Sequence, residues 1–167
     1  RTLGARPKIK IYSNPENYFQ ELITQATQDT NKSSPTTSVH YLATLLNEHV
    51  KIHSQSFNLT LMGGLTPTLA LLQAQSLSPK EQLKLYKKIG DFSLFMSGVF
   101  INALTKRVMD LNYYKNLGKR GYHLAHSVAA AEEIREVFLD LSLNFLSYIE
   151  ILHHVSEHIG ITTHTNL

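Results

Sequence analysis

Apolar residues recur at spacings of three and four along most of this 167-residue chain, which is the pattern of helices that each bury one face. Asn14-Pro15 reads as an N-cap with proline at the first helical position, and Tyr18 or Phe19, Leu22, Ile23 and Ala26 follow on one face. A first helix is therefore expected over Pro15 to Gln28. Ser34-Pro35 repeats that start ahead of Val39, Leu42, Leu45, Leu46 and Val50, predicting a second helix over Pro35 to Ile52. Asn58, Gly63 and Gly64 mark a turn region, after which Thr66-Pro67 opens a short third helix to Gln75 with Leu69, Leu71 and Leu72.

The sharpest local signal is Ser78-Pro79-Lys80-Glu81. Serine caps, proline fills the first turn, and Glu81 completes a capping box, opening a helix that runs to Gly98. Its early solvent side is Lys80, Lys84, Lys87 and Lys88. Beyond Lys88 it is apolar all round, the mark of a helix with neighbours on every side. A bulky stripe (Leu85, Ile89, Phe92, Met96, Val99) runs beside a small one (Gly90, Ser93, Ser97) where another helix can come close. Asp110 is expected to cap the next helix, Leu111 to Ala129, whose face of Leu111, Tyr114, Gly118, Gly121, Ala125 and Val128 is mostly small. Each glycine inside a helix costs about 1 kcal/mol relative to alanine, so two on one seam point to close packing, with the small stripe as the natural partner.

The last helix is expected to be the longest, from Ala131 to Ile159. Ile134, Phe138, Leu141, Phe145, Tyr148, Leu152, Val155 and Ile159 form a heptad seam, and Gly160 supplies the stop. Leu139, Leu143 and Leu146 add a second apolar stripe, so the helix can face its own domain and a second copy at once. The fold class that follows is all-α: a single-domain bundle of five or six helices, with Pro79–Gly98 buried at its centre. Residues 1–13 read as an extended arm with a period-two stretch at Lys8–Ile11, 14–160 as the helical domain, and 161–167 as a polar tail.

Composition narrows the chemistry. The absence of cysteine excludes disulfides, thiol catalysis and thiolate metal sites. The net charge of +3 is mild but unevenly spread. Nine of the sixteen Lys and Arg lie between Lys80 and Arg120, whereas after Ala130 six acidic residues face only Arg135. Such segments pair with each other or face solvent, and nucleic acid is disfavoured because no reader motif accompanies the basic one. The run from Ile89 to Thr105 is too short for a membrane span and carries Asp91 and Asn102. No secretory signal is visible, and a start at Arg1 leaves room for processing or trimming; the absence of cysteine suits a reducing compartment, and a cytoplasmic protein is expected.

Asp91 is the strongest single candidate, because a carboxylate in a buried run needs a partner. Its structural reading is a tie to Arg120, His123 or a tyrosine hydroxyl on a neighbouring helix. Its functional reading is a ligand-binding pocket lined by Asp91, Ser97, Tyr113, Tyr114 and His123, with Asp91 free of an ion-pair partner. The histidines raise a metal reading, since His49 and His53, His123 and His126, and His154 and His158 fall three or four apart. Glu150 and His153 match one Glu-x-x-His, but no second copy exists, so neither a metal nor another cofactor is expected. Phosphate-loop, zinc-protease and nucleophile-elbow motifs are all absent, which disfavours catalysis on a recognised template.

The stretch Gly90-Asp91-Phe92-Ser93-Leu94-Phe95, with Ser97-Gly98-Val99-Phe100, Leu111-Asn112-Tyr113-Tyr114, Gly118, Tyr41-Leu42, Leu45-Leu46, Leu152 and Val155-Ser156-Glu157, resembles a family of bacterial all-helical proteins of unknown function. That resemblance covers most of the chain in order. It implies a one-domain bacterial helical protein and transfers no catalytic or binding residue. Two functions are therefore expected to compete. The first is a non-enzymatic interaction or regulatory module, homodimeric through its heptad seam, that docks a protein partner on Lys106, Arg107, Lys115, Lys119 and Arg120. The second is a small-molecule-binding helical protein, with or without catalysis, built around Asp91, Tyr113, Tyr114 and His123.

Overall fold

The computed structural model describes residues 14–53, 66–101 and 108–160. Among these residues it is all-helical, with α1 (Pro15–Asp29), α2 (Thr36–His53), α3 (Pro67–Ala74), α4 (Pro79–Val99), α5 (Val108–Val128), α6 (Glu132–Leu143) and α7 (Phe145–His158). The expected arm, the turn around Asn58–Gly64 and the C-terminal tail lie outside the described residues.

Local chemistry places the helix starts. The Asn14 side chain accepts from the Glu16 N–H, and Thr66 from the Leu69 N–H. Ser78 and Glu81 close a complete capping box, which satisfies N–H groups that have no partner inside the helix. α1 ends with Asn31 at φ 52°, and α7 is followed by Gly160 at φ 65°, the left-handed turn that stops a helix. Asp110 does not precede the helix as a cap would, since α5 already begins at Val108.

α4 is the hub, packed most extensively on α5 and also on α7, α3 and α2. The small stripes meet as expected. A Cβ at Gly121 would lie 2.9 Å from the Gly90 nitrogen, and one at Gly118 would lie 3.0 Å from the Ser93 Cβ and 2.2 Å from the Phe145 ring. Only hydrogen at these positions lets the two backbones approach. α1 packs on α2 and α7, while α6 rests on α5 and α2. The core runs from Ile23 and Leu42 through Leu94 and Phe95 to Phe145, Tyr148 and Leu152, all buried.

The single long C-terminal helix is corrected to two, which takes the described helices to seven rather than five or six. The chain breaks at Asn144 (φ −107°, ψ 23°), where the Asn144 amide Nδ2 donates to Asp140 Oδ1 at 2.7 Å. On one side of the break α6 packs on α5 and α2, and on the other α7 packs on α4 and α1. Most of the heptad seam is spent inside the subunit. Phe138, Leu141, Phe145, Tyr148, Leu152 and Val155 are all buried, and only Ile134 at its start is exposed. Of the second stripe, Leu143 and Leu146 stay exposed. No described helix is long and apolar enough to cross a membrane.

Candidate functional site

Asp91 sits in the fourth turn of α4 and is 4% exposed. Its Oδ1 accepts from the Tyr41 hydroxyl on α2 and from the Tyr122 hydroxyl on α5, the latter at 2.8 Å. Its Oδ2 accepts from Lys87 Nζ at 2.8 Å, one helical turn earlier on α4. The ammonium also lies 5.3 Å from the centre of the Tyr41 ring, within cation–π range. Three donors and one counter-charge answer the desolvation of the carboxylate, and they join α2, α4 and α5 at one point.

The clamp depends on a glycine. A Cβ at Gly90 would sit 2.6 Å from the Tyr122 ring, so only glycine leaves that ring flat against α4 with its hydroxyl on Asp91. Burial, with the Asp91 charge adding to it, pushes both the Tyr41 and Tyr122 phenols well above their ordinary range. Both therefore remain protonated donors across the physiological range. The rings of Tyr41, Tyr122 and Phe138 contact one another with centroids about 6 Å apart, adding an aromatic wall.

Against this clamp opens a pocket of about 540 Å³, between α2, α4 and α6. α2 supplies Thr37, His40, Tyr41, Thr44, Leu45 and Glu48, which share one face over three turns. α4 supplies Leu83, Lys87 and Asp91 at every fourth residue, and α6 supplies Glu133, Ile134, Val137 and Phe138. The walls are mostly apolar, the floor is the Lys87–Asp91–Tyr41 group, and glutamates stand at the rim. Such a pocket lies in the size range of small-molecule sites, which pair apolar walls with a few convergent polar groups.

The other candidates named from sequence are scattered. Tyr113 is exposed, with its hydroxyl 3.0 Å from Thr68 Oγ1. Tyr114 is half-buried against Phe92, and His123 is exposed beside His126. Ser97 is buried with no hydrogen-bond partner for its Oγ among the described residues. None of the four borders the pocket. Asp91 has an ion-pair partner, Lys87, where the pocket reading expected none, and of the structural ties expected it is the tyrosine hydroxyl that is found, from Tyr41 and Tyr122, rather than Arg120 or His123. Lys87 was legible, since an Asp four residues after a Lys lies one turn away on the same helix face. Tyr41 and Tyr122 arrive from other helices, and no local signal announces them.

Lys106 and Arg107 lie outside the described residues, while Lys115 and Lys119 are half-buried and Arg120 is exposed on α5. Among the described residues no ion pair joins this basic segment to the acidic one after Ala130. The ion pairs there are Lys87–Asp91, Lys32–Glu150 and three that involve histidine. The histidines have mostly structural partners. His49 is buried over Phe95 with Nδ1 2.9 Å from the Leu45 carbonyl oxygen, and His154 reaches Asp29 at 3.0 Å to tie α7 to α1. Among the described residues no group of three or more His, Asp or Glu is placed to hold a metal ion.

No family model, curated protein or solved structure matches the chain. The reading of the site therefore rests on its own geometry.

Proposed function

We propose that this chain is a small-molecule-binding helical protein whose ligand lies between α2, α4 and α6, over the Lys87–Asp91–Tyr41 floor. The observation that carries the reading is the pocket itself: about 540 Å³ of space beside a fully partnered buried carboxylate. Binding fits better than catalysis. Asp91 already accepts three hydrogen bonds, so its lone pairs are committed to the fold rather than to proton transfer. The polar floor orients a ligand and the apolar walls supply most of the affinity.

The docking-module reading keeps one supporting observation. Leu143 and Leu146 stay exposed where α6 meets α7, and Ile134 adds apolar surface at the start of α6. It has lost its main support, because the heptad seam is used within the subunit. Native mass spectrometry of the untagged protein separates the two. A monomer carrying a small added mass, lost in Val137→Trp, is the expected result. A bare dimer unaffected by Val137→Trp but split by Leu143→Gln/Leu146→Gln would overturn the pocket reading in favour of the module.

A further inference from the structure

The charge around the pocket selects its ligand, and we propose that the ligand class is a hydrophobic cation: an apolar body that ends in an ammonium or similar group. This inference rests on the pocket reading above. The single lysine in the lining, Lys87, is neutralised by Asp91 at 2.8 Å and lies beside Tyr41, so the floor carries no net charge. The rim does. Glu48 and Glu133 both border the pocket and are exposed, and among the described residues neither has a hydrogen bond or an ion pair. His40 is the other titratable group in the lining, and it lies 3.5 Å from Glu16, a third acid just outside, which also accepts from Thr44.

The two free glutamates come to the same end of the pocket. α2 and α6 run antiparallel, since Ser38 meets Asp140 while Tyr41 meets Phe138. Stepping back along α6 to Glu133 therefore moves toward the Glu48 end of α2. The apolar walls (Leu45, Leu83, Val137, Phe138) then hold the body of a ligand while Glu48 and Glu133 flank its charged head at the mouth. An anionic ligand would meet both glutamates unscreened and would have to take Lys87 from Asp91 to gain a partner, leaving a buried carboxylate without its counter-charge.

The test uses the full chain and three probes with one alkyl body: octylammonium, octanol and octanoate, followed by titration calorimetry or amide chemical shifts. Octylammonium is expected to bind about five- to twenty-fold more tightly than octanol, as two half-exposed ion pairs allow, with octanoate weakest. Glu48→Gln/Glu133→Gln, at two exposed positions, is expected to remove the preference for octylammonium over octanol. Raising the salt concentration should shrink the same preference. Octanol binding as tightly as the ammonium, or octanoate binding tightest, overturns the charge selection while the pocket reading survives. No binding by any probe, or binding that a folded Val137→Trp variant retains in full, overturns the pocket reading and this inference with it.

Discussion

Two carboxylates organise this bundle in parallel ways, and their difference shows what makes one of them part of a site. Asp91 on α4 collects the hydroxyls of Tyr41 and Tyr122; Asp140 on α6 collects those of Ser38 and Tyr148, with the Asn144 amide alongside. Both reach α2 on neighbouring turns, through Tyr41 and Ser38. Asp91 is almost fully buried and holds a lysine, whereas Asp140 is half-buried and has no cation among the described residues. The deeper acid needs the counter-charge; the shallower one keeps some water and manages with neutral donors. Asp91 lines the pocket that α2, α4 and α6 leave open, and Asp140 does not line it.

The strongest way to break this comparison is to remove each acid. Asp91→Ala leaves two buried phenols and a lysine without their acceptor and is expected to destabilise by about 3 kcal/mol, against about 1–2 kcal/mol for Asp140→Ala. Urea unfolding of both variants measures the gap, and an equal or reversed order would mean that burial does not separate the two clamps. Next in size is Gly90→Ala. Its added methyl gains helix propensity but displaces the Tyr122 ring from Asp91, for a net loss of about 1–2 kcal/mol. A variant as stable as the parent would show that the ring can shift without losing its bond.

Alkaline titration sharpens the comparison further. The Tyr148 phenol is pushed up to about 12, first by burial and then by its bond to Asp140, while Tyr41 and Tyr122 are pushed well above the usual range. A raised folded pKa means that the stabilising contribution is whole below about pH 10, the unfolded phenol value, and is lost as pH rises through the folded one. Near-ultraviolet tyrosinate absorbance should therefore show Tyr148 ionising near 12, and Tyr41 and Tyr122 only as the chain unfolds. Tyr41 ionising before Tyr148 would contradict its place in the clamp. The smallest effect is expected from Lys87→Met, about 1 kcal/mol and salt-sensitive, because its side chain is 42% exposed. A loss as large as that of Asp91→Ala would move the weight of the clamp from the phenols to the ion pair.

How much of this could be read beforehand follows the distance between partners. Asn14, Thr66 and the Ser78–Glu81 box lie within three residues of what they cap, so those starts were legible. So was the meeting of Gly90 and Ser93 with Gly118 and Gly121, because a stripe of small residues has one economical use. The break at Asn144 was not, because the apolar spacing runs through it without a gap. The tyrosines on Asp91 come from 50 positions before and 31 after, and Ser38 lies 102 positions from Asp140.

The sequence by itself determined that the chain is helical, where most helices begin, which faces are buried, and that Asp91 must be answered by something, because each of these follows from neighbours within a turn or two. Tertiary structure alone decided which groups answer it, that the heptad seam closes inside one subunit, and that α2, α4 and α6 leave a pocket. A cavity is the space that three packed helices fail to fill, and no single stretch of the chain encodes it.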